Sequence, residues 1–310
     1  MKKYLLATAT AATLFGGAAS AETIGVSMAL FDDNWQTVLR NEMLAYAATL
    51  DGVTLQMEDG AGDISRQQSQ IDNFIASGVD AILMLLVDAD SGQAMSAAAN
   101  AAGTPIVFVN LAPPNVDNLP DKQAWVGSDE VLAGTLQATE ICKLLGGKGD
   151  AVLLMGQLGT SGQRGRTEGV HNVLAMPECS GIKIVDEQTA NYMRTPGLDL
   201  MTNWLTSGIH PQAVFSNNDE MALGAIQALK AAGVPMDQVV VGGVDATKDA
   251  MAAMQAGDLD VTVFQNAKGQ GIAAIDVATK IIKGEPYEKK NVVPFELVTP
   301  ENLADYESLN

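Results

Sequence analysis

Long apolar runs are nearly missing from the 310 residues. The first 21 hold one: Met1-Lys2-Lys3 opens it, an apolar stretch runs from Tyr4 to Phe15, and Ala19-Ser20-Ala21 closes it. It is too short for a bilayer span, which takes about 20 apolar residues. A charged start, an apolar middle and a small-residue end mark an export signal cut after Ala21. No cysteine stands at that cut to carry a lipid. The expectation is a soluble, exported chain.

Basic residues are scarce. Lys and Arg number 18 against 37 Asp and Glu, a formal charge of −19. The part after residue 21 is more negative still, because it loses Lys2 and Lys3. No cluster of cations offsets that field, which excludes nucleic acid and anionic lipid as partners. Histidine occurs twice, as His171 in a helical stretch and His210 in a Ser-Gly-Ile-His-Pro loop. Neither stands in a zinc spacing or beside a nucleophile motif such as GxSxG, so the sequence offers an enzyme reading no chemistry and no metal or cofactor is expected. Only Cys142 and Cys179 are present. In an oxidising compartment they either form a disulfide, which the chain-entropy model values at roughly 4 kcal/mol, or remain two separate buried thiols.

What is there is an alternation. Short apolar runs at residues 24–28, 53–57, 79–86 and 104–109 are separated by helical periodicities at 34–50, 64–77 and 91–102. A second series follows Ala124-Trp-Val-Gly127, with helices at 132–145, 163–175 and 195–207 and strands at 151–155 and 182–185. It continues through a strand and helix at 213–233, then strands at 239–241 and 261–264 and helices at 247–255 and 271–282. The tail from Asn291 to Val298 reads as one more extended segment. This rhythm predicts an α/β protein with two doubly wound parallel-sheet domains. No Gly/Ser-rich or Pro-rich linker separates the halves, and two halves so joined share a crevice suited to a ligand.

In such sheets ligands sit beyond the carboxyl ends of the strands, where this chain gathers polar and aromatic side chains. Ser216-Asn-Asn-Asp219 places Asn218 between a buried strand and a helix, where it either meets a ligand or caps the helix. Asp33 and Trp35 offer a carboxylate and an indole within one turn, with the same capping alternative for Asp33. Asn110 follows the strand at 104–109, and Tyr192, Asp245 and Gln265 each follow another. The turn Gly156-Gln-Leu-Gly-Thr-Ser-Gly-Gln-Arg-Gly-Arg166 carries Arg166 and is glycine-rich, yet fits neither a Walker A loop nor GxGxxG. Gly269-Gln-Gly271 is a partial dinucleotide pattern without the acid that should follow it.

Phe31-Asp-Asp-Asn-Trp35, the Asp88 region, residues 214–228, Gly243-Val-Asp245 and Thr262-Val-Phe-Gln265 resemble the periplasmic sugar-binding proteins of bacterial ABC importers, the galactose- and ribose-binding family. Val126-Gly-Ser-Asp-Glu130, Cys142 to Lys148, Asp186 to Ala190 and Pro294 to Leu303 are most similar to its rhizopine- and inositol-binding branch. The resemblance implies the type I periplasmic binding fold, two lobes joined by a three-strand hinge. One lobe would span residues 22–127 plus 267–292, the other 128–266 plus 293–310. It implies that Asp33, Asn110, Arg166, Asn218, Asp245 and Gln265 hydrogen-bond a sugar-like ring, with Trp35 and Tyr192 packed on its two faces. It further implies a monomer in the periplasm that captures a cyclic polyol, an inositol or rhizopine-like cyclitol, and delivers it to a membrane permease. An aldose such as galactose or ribose is the alternative ligand, and a chemoreceptor a second partner. Three departures stand out. Thr160 and Gly162 replace a histidine and an aspartate of the galactose binders, Leu111 replaces a common cation, and no calcium-loop insertion is present around Gly146 to Asp150. A sugar-responsive repressor shares the body, but here an export signal stands where a DNA-binding helix-turn-helix would be.

Overall fold

The computed structural model describes residues 21–306 and 309, so the export signal lies outside the described residues except for Ala21. In the first half β1 (Glu22–Met28), β2 (Val53–Asp59), β3 (Ala81–Met84), β4 (Ile106–Val109) and β5 (Gln123–Gly127) alternate with α1 (Asn34–Ala47), α2 (Ile64–Ser77) and α3 (Gly92–Ala102). All pairings are parallel, and with β11 (Lys290–Val292) the order is β2-β1-β3-β4-β5-β11. Because successive strand residues face opposite sides, both faces must be apolar. Ala81 and Leu83 of β3 and Val107 and Val109 of β4 pack with α1 and α9 (Ala267–Lys283). Ile82, Met84, Ile106 and Phe108 pack on the other side with α2 and α3. Gly25 in β1 is required by Phe74, whose ring a Cβ would meet at 2.7 Å.

The second half repeats the plan. β6 (Lys148–Met155), β7 (Gly181–Thr189), β8 (Ala213–Ser216) and β9 (Val240–Val241) form a parallel sheet in the order β7-β6-β8-β9. α4 (Glu130–Leu145) and α5 (Ser161–Leu174) cover one face, and α6 (Arg194–Thr206), α7 (Asp219–Ala231) and α8 (Lys248–Gln255) the other. β10 (Thr262–Gln265) continues the sheet through bridges at Gly242–Val261 and Asp245–Phe264, and pairs antiparallel with β12 (Phe295–Val298). α4 and α5 cross at backbone contact because Gly134 and Gly169 face the partner helix; a Cβ on either would lie 2.0 or 2.3 Å from a carbonyl oxygen.

This is the type I periplasmic binding fold, α/β with two doubly wound sheets. The chain passes between the halves three times: from β5 to α4, from β10 to α9, and from β11 to β12. The tail expected as a single extended segment is two strands in two different sheets. Pro294 divides them, since it has no N–H to offer a ladder and constrains the residue before it. Helix starts shift as well. α4 begins at Glu130 because Asp129 caps it, and α9 begins at Ala267 because Asn266 does, so Gly269-Gln-Gly271 lies inside a helix and forms no dinucleotide turn.

Candidate functional site

In both sheets the strand order reverses at one point, between β1 and β3 in the first and between β6 and β8 in the second. Loops leaving adjacent strands there go to opposite faces and open a crevice. The loops from both reversal points, residues 29–36 and 85–87 on one side and 157–162 and 217–218 on the other, meet around a cavity of about 110 Å³. All eight residues expected at the site line it: Asp33, Trp35 and Asn110 from the first half, Arg166, Tyr192, Asn218, Asp245 and Gln265 from the second or its last strand. Leu85, Leu86, Val87 and Leu111 complete the first wall, so it is largely apolar while the second is largely polar.

Arg166 is the electrostatic centre. Its Nε donates to Glu130 Oε2 at 2.7 Å, Nη1 to the Asn217 carbonyl at 2.6 Å and Nη2 to Gln265 Oε1 at 3.2 Å, with Asp245 Oδ1 3.6 Å from Nη1. Its guanidinium also lies 5.7 Å from the centre of the Phe295 ring. One buried cation thus ties α4, the ends of β8 and β10 and the Asp245 loop together. Burial works against its charge, but Glu130 and Asp245 outweigh that and hold it protonated. Asp245 is driven the other way. Burial raises its pKa well above the usual carboxylate range despite Arg166, and Asp219 and Asp33 add to the shift.

The capping readings hold alongside the site readings. Asp33 Oδ1 accepts from Gln36 N at 2.8 Å as the N-cap of α1, and burial raises its pKa. Asn218 Oδ1 caps α7 through Met221 N at 3.1 Å, while Nδ2 donates to the Tyr192 carbonyl at 3.1 Å. Each end of the Asn218 side chain makes a hydrogen bond within the protein, which fixes α7 and the tyrosine loop, and the residue also lines the cavity. Trp35 Nε1 donates to the Gln265 carbonyl at 2.9 Å, which pins its indole across the junction. Asn110 Nδ2 is buried with no hydrogen-bond partner among the described residues.

The backbone is strained where these residues sit. Asn110 (φ 68°), Tyr192 (φ 63°) and Asp245 (φ 121°) lie in the positive-φ region, as do the neighbours Asn191 and Ala246. Each such non-glycine residue costs about 1–3 kcal/mol, and their gathering at one cavity is the pattern of a functional site. The pairing of Glu130 with Arg166, and the bonds made by Thr160 and Asp219, were not expected. Thr160 shares a hydrogen bond of 2.9 Å with the Tyr192 hydroxyl. Asp219, fully buried, accepts from Thr247 N at 2.9 Å and Thr262 Oγ1 at 2.7 Å and so holds the Asp245 loop from behind. The segment Val126–Glu130 was visible in the sequence, but its pairing with Arg166 depends on the contact of α4 with α5.

A family model described as a periplasmic binding protein domain matches residues 24–286. The chain belongs to this family. A Rhizobium meliloti protein named for rhizopine binding is 60% identical over 310 residues, covering all of both chains. An ABC transporter solute-binding protein from Bacillus halodurans C-125, solved with bound myo-inositol, superposes with a TM-score of 0.89 at 41% identity, over 95% of this chain and all of that one. The Caulobacter myo-inositol binding protein bound to myo-inositol gives 0.85 at 29% identity, over 93% and 96%.

For this periplasmic binding protein the glycine-rich turn after β6 has a packing explanation and no need of a phosphate. A Cβ at Gly156 would lie 2.1 Å from Tyr192 Cζ, and one at Gly162 2.9 Å from its hydroxyl oxygen. The glycines leave the space in which the ring lies. Gly156→Ala is therefore expected to push Tyr192 out of place, changing the near-ultraviolet circular dichroism while the far-ultraviolet spectrum stays the same. An unchanged near-ultraviolet spectrum would show that the ring has room to spare.

Proposed function

We propose that this solute-binding protein is a periplasmic receptor for a cyclitol, an inositol or rhizopine-like ring, which it delivers as a monomer to an ABC permease. The observation that carries the reading is one cavity between the halves that gathers two carboxylates, a guanidinium, six side-chain amides and two aromatic rings. A ring hydroxyl both donates and accepts, and each one buried without a partner costs about 1–3 kcal/mol. Asp33 and Asp245 supply acceptors, Arg166 and the Asn110 amide supply donors, and Trp35 and Tyr192 offer apolar faces to the C–H surfaces. The ligands in the two inositol-bound relatives support a six-membered polyol. Thr160 and Gly162 leave that loop without the charged and imidazole contacts of a galactose site, which weighs against the aldose alternative.

In this reading residues 22–127 plus 267–292 and residues 128–266 plus 293–310 move as two bodies about the three crossings, and closure buries the ligand. Covalent chemistry plays no part. The test is a thermal-shift panel of inositols, inositol amines, galactose and ribose. A true ligand at about 100 times its dissociation constant stabilises by about 2.7 kcal/mol. Stabilisation by cyclitols and not by aldoses is expected; the reverse ranking makes the protein an aldose receptor, and no shift with any of them ends the reading.

A further inference from the structure

At the rim of the cavity one contact joins the halves outside the lining. Asn34, between the cavity residues Asp33 and Trp35, donates from Nδ2 to Glu220 Oε1 at 2.7 Å, across 186 residues of sequence. Glu220 lies in the first turn of α7 and is held by its own half. Arg194 of α6 donates to it through Nε at 2.8 Å and Nη2 at 2.9 Å, and Nη2 is in turn 2.7 Å from Asp249 in α8. The Glu220 side chain is 14% exposed, Arg194 31%.

Two other cross-rim contacts are weaker. Ser161 Oγ accepts from Ala112 N at 3.3 Å, and Arg164 stands 4.0 Å from Asp90 with both side chains largely in water, where an ion pair contributes little.

We propose that Asn34 and Glu220 form a latch that sets how long the closed form lasts, which makes Glu220 an affinity-determining residue that does not touch the ligand. The argument is one of preorganisation. Arg194 and Asp249 fix the carboxylate whether the cleft is open or shut, so closure orders only the short Asn34 side chain. A charge-assisted hydrogen bond gained under those conditions exceeds a neutral one. Opening leaves Glu220 still paired with Arg194 and wetted, so the latch releases without stranding a charge. The apparent affinity follows the closed population, and the latch should act on the rate of opening.

The inference rests on the receptor reading above for its kinetic test, and a second measurement frees it from the choice of ligand. Stopped-flow tryptophan fluorescence with myo-inositol should show dissociation about tenfold faster in Glu220→Ala and in Asn34→Ala, with association nearly unchanged. The double variant should be no worse than either single one, and Glu220→Gln, which still offers an acceptor, should recover part of the loss. Unchanged dissociation or additive losses would overturn the latch. Spin labels on Asp72→Cys in α2 and Asp199→Cys in α6 report the distance between the halves without any ligand. Glu220→Ala and Asn34→Ala should move that distribution toward longer distances. If they do not, the latch is wrong whatever the ligand; if myo-inositol fails to bind while the distances respond, the receptor reading fails and the latch stands.

Discussion

Arg166→Met is expected to remove about 3–5 kcal/mol of unfolding free energy at neutral pH, together with ligand binding. The Arg166 side chain is 7% exposed and lies against two buried carboxylates, and methionine fills much of its volume while supplying no charge. Glu130 and Asp245 would then be left buried without their cation, and breaking such a group on one side costs far more than the intact pair stabilises. The pH dependence carries a sign. Asp245 already titrates above its unfolded value because it is buried, and losing Arg166 removes the main influence holding that shift back. The folded variant therefore binds more protons than the unfolded chain, so its stability falls as pH rises from the ordinary carboxylate value of about 4 toward neutrality. Urea denaturation of wild type and variant at both ends of that range measures this. A loss that is small, or that grows toward acid, would mean the buried carboxylates are neutralised by some other group.

The fold was legible because its signals are local. β-strands buried on both faces show as apolar runs, helices show a longer period, and the absence of a tether implied a shared crevice. The site residues were legible for a related reason. They stand at strand ends, where polar side chains directly after an apolar run are conspicuous, as with Asn110 after Val109 and Gln265 after Phe264. The partners of those residues left no such trace. Glu130 meets Arg166 only because Gly134, Gly165 and Gly169 let α4 and α5 approach to backbone contact, a fact of three-dimensional packing. The apolar wall at Leu85, Leu86 and Val87 looks in sequence like the rest of a buried strand. Asn218 stands out in the sequence by its place after a strand, but its hydrogen bonds to Met221 N and the Tyr192 carbonyl, which build the site, leave no trace there. The tail failed for a simpler reason: one proline splits an apolar run into two strands that serve different sheets.

The second large effect lies away from the cavity. Cys142, near the end of α4, and Cys179, just before β7, are joined in a disulfide across 37 residues, with both residues buried in the second half's core. Closing a loop of that length restricts the unfolded chain by about 4 kcal/mol on the chain-entropy model. Cys142→Ala with Cys179→Ala, or reduction of the native protein, should therefore cost about that much in urea denaturation. Binding by the molecules that remain folded should not change. Glu130 opens the same helix that Cys142 nearly closes, and at 1.5 Å per residue about 18 Å separates them along the axis. The end of α4 at the cavity is positioned independently of the staple, by the glycine contacts with α5, by Arg166, and by Gln137, which donates to the carbonyls of Ser216 and Gly243 at 2.8 Å each. Stability and affinity should thus separate cleanly in calorimetry below the unfolding transition. If affinity falls in step with stability, α4 is not rigid between its two ends and the disulfide must be counted among the groups that shape the site.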